Sequence, residues 1–183
     1  MARKKAGKKG AGAQPDMPQE FLDDIIHNGV QAHRAGKLSE AEALYRQVLD
    51  IQPDHGEANH LLGLIAFQIG KNDQAIQLIK KAIRANPDKA AFHANLGPAL
   101  QKKGRLDDAV ASCVRAIELE PDYAEAHANL GSAFHARGNL DEAVASYRRA
   151  IAIDPDFAEA HNNLGNTLKD LGRFEEALVC YRH

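Results

Sequence analysis

The sequence predicts an all-α chain, a right-handed solenoid of antiparallel helix pairs. Three observations carry that expectation. The phrase "HANLGPAL" (93–100) returns as "HANLGSAF" (127–134) and as "HNNLGNTL" (161–168), each time 34 residues on. A Pro-Asp pair recurs at the same interval, beginning at Pro53, Pro87, Pro121 and Pro155. With Leu22 as position 1, three columns are constant through five copies. They are Gly at 8 (Gly29, Gly63, Gly97, Gly131, Gly165), Gly at 15 (Gly36, Gly70, Gly104, Gly138, Gly172) and Ala at 20 (Ala41, Ala75, Ala109, Ala143, Ala177). Repetition at a fixed interval of a few tens of residues marks a fold in which each unit stacks on the last.

The frame gives a basic head, residues 1–20, and an array over 22–183 with repeats 22–55, 56–89, 90–123, 124–157 and an incomplete 158–183. Positions 7, 8 and 11 are small or apolar at helical spacing, apart from Asn28, and position 4 extends the same face, which predicts a first helix, A, with one buried stripe. Gly at 15 suits the end of that helix. Ser39, Asp73, Asp107 and Asp141 follow three residues later and are expected to be N-caps of a second helix, B. In repeat 4 the stripe of helix B is Ala143, Tyr147, Ala150 and Ile151. Proline at 32 stops helix B by removing a donor and restricting the residue before it. The Asp after it is expected to cap the next helix A, and Asp54–Glu57, Asp122–Glu125 and Asp156–Glu159 have capping-box spacing. Gly at 8 lies inside helix A at a cost of about 1 kcal/mol against Ala. The expected reason is close approach of helix B at its position-20 alanine.

The chain has 23 bases and 25 acids, a net charge of −2, which argues against a general nucleic-acid binder. Five of the bases (Arg3, Lys4, Lys5, Lys8, Lys9) lie in the head with only two acids. That head lacks large apolar residues, so it is expected to be a disordered, solubilising tail and not a secretory signal. The hydrophobic fraction of 44% is enough for a core, and six Phe, four Tyr and no Trp favour helices over a sandwich. No run approaches the length of a membrane span. Cys113 and Cys180 stand 67 residues apart without a CxxC, so a reducing, cytoplasmic setting is expected, with both as small packed hydrophobes.

Leu130, Gly131, Ala143, Tyr147, Ala150 and Pro155 fall at positions 7, 8, 20, 24, 27 and 32 of repeat 4. By this pattern residues 22–183 resemble the tetratricopeptide repeat family. Repeat 1 departs at Asn28, repeat 2 at Ile79 and repeat 3 at Cys113. The resemblance implies that the A helices line a concave groove into which position 6 faces. Asn95, Asn129 and Asn163 occupy position 6 in repeats 3 to 5. An amide both donates and accepts, so these three are the candidate peptide-binding residues. Three residues of extended peptide rise about 10 Å, one helix-to-helix step. The clamp that some family members use for an acidic C-terminus is not expected, because position 5 reads Ile26, His60, Ala94, Ala128 and Asn162.

No catalytic residue, cofactor or metal site is predicted. His93, His127 and His161 share position 4 and form a ladder about 10 Å apart, not a convergent shell, so a packing role is expected. The expected function is a protein–protein interaction scaffold that takes an extended peptide. Two alternatives stand beside it. The "NLG" phrases resemble the repeat arm of O-linked N-acetylglucosamine transferases, which implies the substrate-recognition arm of a larger glycosyltransferase. Repeat 5 stops at position 26, midway through helix B and without a capping helix. That implies a fragment, or an end that meets a partner or a second copy as a self-associating adaptor. Pro98, at position 9 of a helix A, is expected to kink that helix without ending it.

Overall fold

In this computed structural model residues 18–182 are described; the basic head lies outside them through residue 17. Among the described residues there are ten helices and no strand. The A helices are α1 (Gln19–Arg34), α3 (Gly56–Gln68), α5 (Ala90–Lys102), α7 (Ala124–Arg137) and α9 (Ala158–Asp170). The B helices are α2 (Leu38–Ile51), α4 (Asn72–Ala85), α6 (Leu106–Leu119), α8 (Leu140–Ile153) and α10 (Phe174–Cys180). Each helix packs on its neighbours in sequence, and each of α5, α7 and α9 also touches the A helix before it. The result is a solenoid of helix pairs.

The turn from A to B is tighter than the sequence suggests. The position-15 glycine takes a positive φ in every repeat, between 71° and 83°, where a Cβ would be strained. The N–H of residue 16 then reaches back to the carbonyl of residue 11, as in Lys37 to Ala32 (2.9 Å), Arg105 to Leu100 (3.0 Å) and Arg173 to Leu168 (2.8 Å). The carbonyl of that same residue accepts from the position-20 alanine, as in Lys37 from Ala41 (3.0 Å) and Arg105 from Ala109 (3.0 Å). One residue thus closes helix A and opens helix B. Helix B therefore begins two residues before the expected place, and Ser39, Asp73, Asp107 and Asp141 are not N-caps. They lie in its first turn, after Lys37, Lys71, Arg105 and Asn139, none of which caps through its side chain. The acids there still meet the positive end of the helix dipole.

At the turn from B to A the cap shifts the other way, one residue later than expected. Asp54, Asp122 and Asp156 stay in the turn, and the N-caps are His55, Tyr123 and Phe157. Their carbonyls take the first helical bonds, from Asn59 (3.1 Å), His127 (3.3 Å) and His161 (3.2 Å). Of these three only His55 caps through its side chain, accepting from Ala58 N at 3.2 Å.

Position 4 ties each repeat to the one before. His93, His127 and His161 donate from Nε2 to the carbonyls of Pro87 (2.8 Å), Pro121 (2.9 Å) and Pro155 (2.9 Å). Asn59 does the same for Pro53 at 3.0 Å. These residues are clasps on the proline turn, which is more specific than general packing.

The position-8 glycines answer chiefly to the side chain at position 24, not to the alanine at 20. A Cβ at Gly97 would lie 2.6 Å from Cys113 Sγ, at Gly131 2.8 Å from Tyr147 Cε1 and at Gly63 2.7 Å from Ile79 Cγ1. The nearest atoms of the position-20 alanines are carbonyl oxygens farther off, at 3.4 Å (Ala75) and 3.6 Å (Ala109). The alanines at 20 and the residues at 27 (Val48, Ala82, Ala116, Ala150) are buried, so the core runs along the contact between the A and B layers. Cys113 belongs to it, and burial pushes its thiol up to about 12. Cys180 is half-buried, and burial raises its thiol as well.

Candidate functional site

Neighbouring A helices meet in a constant register, in which position n of one lies beside position n+1 of the next, 35 residues later. His33 and Gln68 meet at 3.1 Å, His60 and Asn95 at 3.1 Å, and His135 and Asp170 at 2.9 Å. The register brings Asn95, Asn129 and Asn163 into one open cavity of about 450 Å3 on the face formed by α5, α7 and α9. Pro98, Gln101 and Ser132 share its wall.

The three amides are not equivalent. Asn95 donates from Nδ2 to His60 Nε2. His60 is buried, its ring 4.4 Å from that of Phe92, and burial pushes its pKa down to about 4. It is therefore neutral near pH 7, with Nε2 free to accept and Nδ1 carrying the proton.

Asn129 donates to the backbone carbonyl of Ala94 at 3.3 Å. That carbonyl would ordinarily accept from the N–H four residues on, at position 98. Proline has no N–H, so Pro98 leaves the Ala94 oxygen unserved inside its own helix and Asn129 serves it from the next. Helix α5 runs unbroken from Ala90 to Lys102 through Pro98. Gln101 and Ser132 add two bonds at the same junction: Gln101 Nε2 to Ser132 O (3.3 Å) and Ser132 Oγ to Gln101 Oε1 (3.1 Å). Of the neighbouring A-helix pairs, α5 and α7 pack the most extensively.

Asn163 has no hydrogen-bond partner for its amide among the described residues. The equivalent carbonyl, that of Ala128, lies within α7 four residues before Ser132, whose N–H is intact. Asn163 therefore faces the cavity with donor and acceptor both available.

Sequence reasoning found the asparagines but missed Gln101 and Ser132, which stand at positions 12 and 9 of successive repeats. Their signal was the register, 31 residues between polar side chains on adjoining A helices. No three His, Cys, Asp or Glu residues are grouped as a metal would require among the described residues. No helix there is long and apolar enough to cross a membrane.

Two tetratricopeptide families match the sequence. One, described as TPR repeat, covers residues 99–138 and 131–172; the other, described as tetratricopeptide repeat, covers 32–97. No curated protein matches the chain. Among solved structures, the protein MamA is similar at 28% identity with a TM-score of 0.71, covering 84% of this chain and 90% of that one. The thermophilic TPR protein TTC0263 of Thermus thermophilus is similar at 25% identity and TM-score 0.77, covering 88% of both chains. YrrB, described as a TPR protein with an unusual peptide-binding site, is similar at 25% identity and TM-score 0.66, covering 89% of this chain and 84% of that one. With its 34-residue helix pairs, its glycine turns and these matches, the chain belongs to the tetratricopeptide repeat family and is a protein-interaction scaffold.

Proposed function

We propose that the concave surface of repeats 3 to 5 holds an extended peptide segment of a protein partner. The observation that carries this reading is the opening of Asn95, Asn129 and Asn163 into one cavity at one-repeat intervals. Three residues of extended chain rise about 10 Å, close to the step between neighbouring helices, so successive amides can meet equivalent backbone groups of a peptide. Asn163 offers a donor and an acceptor. Asn95 and Asn129 use an N–H in their inter-repeat bonds and keep their side-chain carbonyl oxygens for a peptide N–H. The peptide-binding description of YrrB supports the same class of ligand.

The test is capture of peptides from a displayed random library by the full chain. Asn163→Ala should weaken capture about fivefold, the value of one hydrogen bond of about 1 kcal/mol, with no change in melting temperature. Capture that is indifferent to Asn163→Ala and to the Asn95→Ala/Asn129→Ala pair would sink the reading.

A further inference from the structure

The groove has a charged edge that the asparagines do not explain. Position 2 of helix A is Asp23, Glu57, Ala91, Glu125 and Glu159, acidic in four repeats of five. All four acids are exposed. Glu125 and Glu159 line the cavity that holds the asparagines, and Asp23 and Glu57 line a second concavity beside α1.

Several acids elsewhere on the surface are in ion pairs between repeats. Asp122 pairs with Arg149 (2.7 Å), Glu176 with Arg148 (3.0 Å), Asp73 with Lys103 (3.0 Å) and Asp107 with Arg137 (3.3 Å). Along the groove edge no such pairing occurs among the described residues. The carboxylates of Glu57, Glu125 and Glu159 have neither ion pair nor hydrogen bond there, and Asp23 accepts only from Gln19 of its own helix. Phe157 lines the same cavity as Glu125 and Glu159. An aromatic ring beside two carboxylates suits a cation, by charge and by the ring's quadrupole. Lys102 in this cavity and Arg34 in the other stand near the opposite ends of their helices.

We propose that the groove selects an extended peptide that carries a Lys or Arg, with that side chain held between Glu125 and Glu159 in the cavity that Phe157 also lines. The inference rests on the groove reading above and adds the chemistry of the ligand. The attraction acts at exposed carboxylates, so binding weakens as salt rises.

The experiment is selection of a displayed random peptide library on the full chain, followed by fluorescence polarisation of the selected peptides. The variants are Glu125→Gln/Glu159→Gln and, separately, Asn163→Ala, each with its melting curve recorded. The expected result is enrichment of Lys or Arg and a loss of about tenfold in affinity for the Glu125→Gln/Glu159→Gln chain at low salt, with the fold intact. Peptides selected without basic residues, or binding unchanged in the glutamine variant, overturn this inference; the groove reading then survives if Asn163→Ala still weakens capture. Recovery of no peptide at all overturns both.

Discussion

The α5–α7 junction and the α7–α9 junction are built from the same repeat and closed differently. At α5–α7, Asn129 bonds the Ala94 carbonyl and Gln101 and Ser132 bond each other. At α7–α9, the hydrogen bond between the facing A helices is that of His135 with Asp170, near their C-terminal ends, and Asn163 is unengaged. What separates the two is a single backbone N–H. Pro98 withholds it and so supplies an acceptor to the neighbouring helix; Ser132, at the equivalent position, does not. An asparagine at position 6 is thus a joint where the preceding helix has a spare acceptor, and it is left facing the cavity where there is none. The α3–α5 junction obeys the same rule with a different acceptor, the neutral ring of His60.

The largest effect that would sharpen the comparison is expected at α3–α5 on acidification. Unfolded His60 gains a proton as pH falls through about 6.5, while the folded residue resists until about 4. Between those values the unfolded chain binds more protons, so stability falls as pH falls. The stabilisation is complete above pH 6.5 and its loss reaches at most about 3 kcal/mol near pH 4. His60→Gln, which retains an acceptor for Asn95, should lose this share of the pH dependence. Urea melts of both chains across the window check it, and parallel curves would exclude His60 as the source.

Next in size is the coupling of Pro98 and Asn129. Pro98→Ser should raise the melting temperature, by less than the roughly 3 kcal/mol of an unserved mid-helix proline, since Asn129 already meets the freed carbonyl. Asn129→Ala should cost about 1 kcal/mol beside Pro98 and nothing in the Pro98→Ser background. Equal costs in both backgrounds would break the comparison. Asn95→Ala is expected to cost a similar 1 kcal/mol, because His60 loses its partner, read from the shift in urea midpoint. The smallest effect belongs to Asn163→Ala, which should leave stability within about 0.5 kcal/mol. A larger loss would mean that its amide is structural too.

The period, the helix pairing, the glycine turns and the proline stops were all legible in the sequence, because each depends on local backbone chemistry. The cap assignments were not. They turn on whether residue 16 can close one helix and open the next, and Asp107 looks like a good N-cap until Arg105 is seen to have taken that place. Position 6 was legible as groove-facing only through family resemblance. The roles of its three asparagines were hidden because each depends on what the preceding repeat offers: a buried imidazole for Asn95, a proline-freed carbonyl for Asn129, and no acceptor for Asn163. The position-24 side chains were noticed as departures in repeats 2 and 3, yet they explain the glycines at position 8. Ile79 and Cys113 fill the slot that Tyr147 fills in repeat 4.

Within a repeat the residue at position 16 both closes helix A and opens helix B. Between repeats the chain passes through the Pro-Asp turns. The position-4 clasps fasten three of those turns, at Pro87, Pro121 and Pro155. The polar staple at α5–α7 locks one of them further. The hydrogen bonds between facing A helices are therefore gathered at α5–α7, and Asn163 stands at the junction beyond them.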